Sequence, residues 1–129
     1  MHFNKVSRSV ITALVRIVGN EHVHTNEEKL KHYGHDETED LSFPPEAVVR
    51  PNTAEEVAEV LRICNEHHVP VTPIGGRTGL SGGALSVHGG VGLALDRMNR
   101  IVSIDERNLQ VTVEPGLITQ VLQESVAAK

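Results

Sequence analysis

Between Pro73 and Gly83 the chain reads Pro-Ile-Gly-Gly-Arg-Thr-Gly-Leu-Ser-Gly-Gly, with five glycines in eleven residues. Glycine at that density is costly to order, because each one loses more backbone freedom on folding than any other residue. A chain accepts the cost where its backbone must turn tightly or approach a ligand closely. An apolar, strand-like segment (residues 71–74) leads into the run, and Thr78, Ser81 and Arg77 add two hydroxyls and a cation. That combination reads as a cradle for an anion, a phosphate first of all. The alternative is a mobile surface loop. Two common phosphate loops are excluded. A Walker loop ends in Gly-Lys-Ser/Thr, and no lysine lies between Lys31 and Lys129. A Rossmann loop is G-x-G-x-x-G opening a helix, whereas here the spacing differs and Ala84 to Leu95 reads as a turn followed by a strand.

The rest of the chain sets bounds on what surrounds this loop. Its 129 residues support one domain that buries roughly two-thirds of its unfolded surface. Apolar residues make up 39% but aromatics only 2%, so the core must rest on Val, Leu, Ile and Ala. The net charge of −5 argues against nucleic acid, whose affinity comes mainly from Lys and Arg neutralising phosphates. Between Glu21 and Glu46 eight carboxylates face two lysines, which reads as a solvated segment. The single cysteine, Cys64, excludes an internal disulfide and suits a reducing compartment. It shares a helical face with Val57, Val60 and Leu61 and reads as a core thiol. No run approaches the roughly 18 apolar residues of a membrane span, and Val10 to Val18, broken by Thr12 and Arg16, is not a signal peptide. The cytoplasm is the expected location, with peripheral membrane association left open.

Apolar positions Val6, Val10, Ile11, Leu14 and Ile17 form one helical stripe over residues 5–18, and Gly19 is a natural stop. Residues 20–42 have no lasting periodicity and predict loop with one helical turn. Pro44-Pro45 fixes an extended approach to a buried strand over residues 47–50. Thr53 opens a helix running to about Glu66, with Glu56 positioned to complete a capping box. Strands are predicted over 71–74, 92–95, 101–104 and 109–113, the last two as a hairpin, and a helix over 117–127. Strand, helix and strand over residues 47–74 form a βαβ unit. The glycine loop then follows the carboxyl end of a strand, where α/β proteins bind ligands.

The glycine run resembles a known family once three further segments are added: Gly89-Gly-Val-Gly-Leu-Ala-Leu-Asp96, Arg97-Met-Asn-Arg-Ile101 and Val113-Glu-Pro-Gly116. Together they resemble the N-terminal part of FAD-linked oxidases with the para-cresol methylhydroxylase and vanillyl-alcohol oxidase type of flavin domain, and among these the D-lactate dehydrogenase and glycolate oxidase group. The resemblance implies an α+β fold, a small α/β sandwich that forms the first subdomain of such a flavin domain. Residues 1–42 would be a helix and polar lead-in, and 43–129 the subdomain itself. The final helix ends in mid-pattern at Lys129, so the flavin domain is expected to continue beyond it. The implied cofactor is FAD, its diphosphate on Gly75, Gly76, Arg77, Thr78 and Gly79, with Gly83 and Ala84 closing the turn. Pro115 and Gly116 correspond to a segment near the same cofactor, or equally to an ordinary strand-to-helix turn. Many relatives have Gly where this chain has Arg77, which either clamps a phosphate oxygen or points to solvent. Asp96 is expected to organise the turn that carries residues 97–100.

The resemblance implies hydride transfer from a 2-hydroxy acid of the D-lactate or glycolate type to FAD, with substrate and electron acceptor bound only by the full-length enzyme. No catalytic residue is assigned here. Thr78 and Ser81 lack a histidine spaced as a base. The eight histidines lack the Cys or carboxylate framework of a structural metal site, and His88, nearest the loop, matches no covalent flavin linkage. The competing reading is a non-catalytic remnant or interaction module that keeps the fold without FAD and is prone to self-association. A flavin domain of the molybdenum hydroxylase type fits the Leu-Ser-Gly-Gly and Leu-Asp-Arg-Met-Asn segments less well.

Overall fold

The computed structural model describes residues 2–129. Ser7 opens helix α1 (Arg8–Val18) by accepting a hydrogen bond from the Val10 amide. Gly19 ends it at φ +91, its amide closing on the Val15 carbonyl. The helix begins three residues later than the apolar stripe suggests because residues 4–6 are held elsewhere. The Asn4 amide donates to the His68 carbonyl, its side chain to the His67 carbonyl, and the Val6 amide to Glu46. The polar stretch that follows contains a 3-10 turn (Asn20–His22), the two-residue strand β1 (Val23–His24) and helix α2 (Glu27–His32). β1 carries no alternation of its own. It exists because Val23 and His24 pair antiparallel with Val49 and Val48 of β2 (Ala47–Val49).

Helix α3 (Ala54–Glu66) starts at Thr53, whose hydroxyl accepts from the Glu56 amide. The Glu56 carboxylate returns a bond to the Asn52 amide at 2.5 Å, one residue earlier than a capping box predicts. Strands β3 (Val71–Ile74) and β4 (Val91–Ala94) complete a sheet ordered β1-β2-β4-β3. The βαβ pair β2 and β3 are therefore not neighbours. β4 lies between them, parallel to both, and is buried along its whole length. One face of the sheet packs Val49, Val91 and Leu93 against Val10, Leu14 and Val18 of α1 and Val60 and Cys64 of α3. Side chains on both sides of residue 43 thus enter one core. Burial pushes the Cys64 thiol up to about 11, as a core position demands. Leu61 departs from the expected face and is 44% exposed.

After β4 the chain forms a separate antiparallel hairpin, β5 (Ile101–Asp105) and β6 (Gln110–Val113). Helix α4 (Thr119–Ala127) follows. It starts two residues later than predicted because the Gly116 and Leu117 amides close a turn onto the Met98 and Glu114 carbonyls.

Candidate functional site: an open glycine cradle

The register of three parallel strands brings the site together. Val49 is opposite Leu93, and Ile74 is opposite Ala94, so Arg50, Gly75 and Leu95 leave the sheet at one end. The Leu95 amide still donates to the Ile74 carbonyl. Beyond that bond the two chains part, Gly75-Gly76 to one side and Asp96 to the other. They open a cleft of about 480 Å³ walled by Gly75, Gly76, Arg77, Ala94, Asp96 and Gly116. The glycine loop and the Pro115-Gly116 turn, 40 residues apart in sequence, thus meet across one concavity. Thr78, Gly79, Gly83, Ala84 and Pro115 lie outside its walls: Gly79 and Gly83 are exposed in the loop, Thr78 and Pro115 are exposed, and Ala84 is half-buried.

Two kinds of glycine occur here, and the difference is informative. A Cβ on Gly116 would come within 1.9 Å of the Leu95 carbonyl oxygen and 2.9 Å of that of Met98. That glycine is required by the chain's own packing. A Cβ on Gly75, Gly76, Gly79 or Gly83 would meet nothing within 4 Å, and none of these four has a positive φ. The fold alone does not require glycine at any of them. Among the described residues, the amides of Gly75 to Gly79 donate to no acceptor in the chain. Bare amides beside open Cβ positions leave a surface onto which an anion's oxygens can settle closely.

Arg77 adopts φ +58, the left-handed region that a Cβ disfavours and glycine tolerates. Its guanidinium is engaged within the chain. It donates to the His32 carbonyl at the end of α2, lies 2.9 Å from His32 Nε2 and sits over the Tyr33 ring, 5.5 Å from its centre. The carboxyl end of a helix carries partial negative charge, so a cation is favoured there. Since a guanidinium only donates, His32 Nε2 is the acceptor in this pair. Arg77 therefore ties the loop to α2 and forms the cleft wall with its stem.

Asp96 pairs with Arg50 through Nε at 3.2 Å and Nη2 at 2.7 Å. Desolvation works to raise its pKa, but hydrogen bonds and charge from Arg50 outweigh it and hold the carboxyl below its ordinary range. The adjoining turn is organised by the Asp96 backbone carbonyl, which accepts from Asn99, while its side chain reaches to β2. Tyr33 is raised, by burial first and by the nearby Asp96 charge. No sequence signal marks Tyr33 or Arg50 as a neighbour of the cradle: strand pairing brings Arg50 to Asp96, and Arg77 brings Tyr33 at the end of α2. His32 and His35 rings come within 6.4 Å, and His88 stacks on Phe3 at 5.2 Å. No group of three His, Cys, Asp or Glu among the described residues is placed to hold a metal, and no helix among them is long and apolar enough to cross a membrane.

Comparison with known proteins agrees with this geometry. A family model described as an FAD binding domain matches residues 45–129. The chain is 36% identical over 124 residues to glycolate oxidase subunit GlcD of Bacillus subtilis, covering 96% of the chain and 26% of that protein. It is 47% identical over 74 residues to a D-lactate dehydrogenase of Anaerostipes hadrus, covering 57% and 16%. The structure of p-cresol methylhydroxylase with substrate bound superposes with a TM-score of 0.82 at 29% identity, covering 95% of this chain and 25% of that one. The chain thus spans about a quarter or less of the length of these relatives.

Proposed function

The chain belongs to the FAD binding domain family of FAD-linked oxidoreductases, whose cofactor is FAD, and on that premise we propose that its glycine loop forms the diphosphate-binding wall of an FAD site. Gly75, Gly76, Arg77, Thr78 and Gly79 are the proposed contacts. Gly83 and Ala84 close the loop, and the Pro115-Gly116 turn faces it, with Gly116 in the cleft wall. The observation that carries this reading is the cluster of glycines whose Cβ positions are open and whose amides are unpaired, beside a cleft. A diphosphate places two negative charges at close range, and several amides can approach it together only where no Cβ intervenes.

The residues serve binding and positioning alone. The amides hold phosphate oxygens, Arg77 fixes the loop against α2, and Arg50 offsets the charge of Asp96 at the cleft wall. Bound FAD supplies a two-electron acceptor. The reaction proposed for the whole protein is oxidation of a 2-hydroxy acid of the D-lactate or glycolate type. That acceptor would take the hydride of the hydroxyl-bearing carbon, the hydroxyl proton would pass to a base or to solvent, and a separate oxidant would receive the electrons. Similarity to a glycolate oxidase and a D-lactate dehydrogenase supports this substrate class, and the lone cysteine favours the cytoplasm.

The test is to mix the purified chain with FAD, desalt it and record the visible spectrum. Retained flavin absorption is expected. Gly76→Ala should weaken FAD binding at least tenfold with an unchanged thermal midpoint, because its methyl group fills the cradle without touching the fold. A folded chain that elutes colourless sinks the reading and favours the non-binding module.

A further inference from the structure

The eight histidines form no metal site among the described residues, yet one of them touches the glycine loop. His32 ends α2, and its Nε2 lies 2.9 Å from Arg77 Nη2. The Arg77 guanidinium also donates through Nη1 to the His32 carbonyl and covers the Tyr33 ring. These contacts hold the arginine at φ +58, a conformation that disfavours a side chain and persists only where its surroundings impose it. The carbonyl and the phenol ring do not change charge near neutrality; the imidazole does. A guanidinium only donates, so Nε2 must keep a lone pair and the ring must be neutral. Imidazole is the side chain that gains its charge between about pH 8 and 5. Once protonated, His32 sets N–H against N–H and one positive charge against another.

We propose that His32 is a positioning residue of the cradle: as a neutral acceptor it fixes Arg77, and through it the Gly75–Gly79 arm, and its protonation loosens that arm and weakens FAD binding. This inference rests on the FAD reading above. The other tether of the arm, from the Glu37 amide to the Gly79 carbonyl at 3.1 Å, does not titrate. Charged and titratable groups face His32 from several elements. The His35 ring lies 6.4 Å away on the same segment. Glu28 and Lys29 of α2, Glu21 of the 3-10 turn, His24 of β1 and Arg50 after β2 line the cavity on one side of it. Asp96 lines the cleft on the other. Burial first, then the charges of Lys29 and Arg50, hold His24 below its ordinary range, so that ring stays neutral further into acid. Asp96 is held below its own range and stays charged. His35 is the neighbouring ring that the test must separate from His32.

The experiment titrates the purified chain with FAD across this pH range and records the Arg77 guanidinium resonances by NMR without FAD. The dissociation constant of the parent is expected to rise about threefold or more from about pH 8 to about pH 5.5, the scale of one exposed charged contact. His32→Gln places a carbonyl oxygen, which accepts and does not titrate, where Nε2 stands. It should match the parent at the alkaline end and lose the pH dependence, whereas His35→Gln should keep it. Without FAD, the Arg77 resonances should titrate together with the His32 ring in the parent and stay fixed in His32→Gln. A flat profile in the parent, or a slope that survives in His32→Gln, overturns the proposal. If no variant binds FAD, the cofactor reading falls and the Arg77 resonances decide alone. Titration in step with His32 then upholds its hold on the loop, and independence removes it. Should His32→Gln fail to fold, Arg77→Gly suits the left-handed backbone and removes the guanidinium. The profile should again become flat, and a persistent slope overturns the proposal.

Discussion

Gly116 and Gly76 face the same cleft for opposite physical reasons. Gly116 is packed from behind by the Leu95 and Met98 carbonyls, and its amide donates to Met98 at 2.8 Å. Gly116→Ala should therefore destabilise the chain by at least about 2 kcal/mol through overpacking, read as a shift in the urea midpoint. Gly76→Ala leaves that midpoint where it was. Equal stability of the two variants would mean that crowding at Gly116 relaxes freely. Sequence alone left the Pro115-Gly116 turn open between a local bend and a cofactor neighbour, because a glycine looks the same whether its own chain or a ligand excludes the side chain. Arg77 gives the complementary lesson. Its φ of +58 explains why glycine is at home in this position, while its guanidinium, bound to the end of α2, shows what this chain does with the side chain.

Among the elements, the parallel register of β2, β4 and β3 produces the Arg50–Asp96 pair. Neither residue announces the other in sequence, 46 positions apart, and no periodicity joins them. The folded-state pKa of Asp96 lies below its ordinary value of about 3.9. Its pairing therefore stabilises the fold above that value and is lost as pH falls through about 4 and below. The carboxylate side chain is 45% exposed, so solvent screening limits the gain to under about 1 kcal/mol. Urea titrations of the parent chain and Asp96→Asn should differ at pH 7 and converge near pH 3. A difference that persists unchanged at pH 3 would show that the pair contributes through geometry alone. Helices α1 and α3 were legible because their apolar spacing and the signals of Gly19 and Thr53 are local, whereas the Ser7 cap that starts α1 three residues late was not read. β1 was not legible, since two residues carry no period and only pairing with β2 makes them a strand.

The first helix contributes fully buried side chains to the main core cluster. Leu14 is 0% exposed, packed with Val60 and Cys64 of α3 and Val91 of β4 in the same cluster. Leu14→Ala should cost about 2–5 kcal/mol and lower the single unfolding transition that also reports on residues 43–129. A variant that melts α1 separately, leaving the β2–β4 region intact, would show that the lead-in is an independent unit. The hairpin and α4 depend less on this core. Leu109 is 91% exposed, and no residue of α4 is buried. The sequence by itself determined the order of helices and strands, the lone buried thiol, and a glycine loop at the carboxyl end of a strand, since caps, periodicity and glycine density act over a few residues. Only the tertiary structure decided that β4 inserts between β2 and β3, that Gly116 closes the cleft opposite Gly76, that Arg77 turns to α2, and that the Glu37 amide meets the Gly79 carbonyl. Each of those joins groups distant in sequence, and such groups meet only when strand pairing and burial of the common core fix the chain in three dimensions.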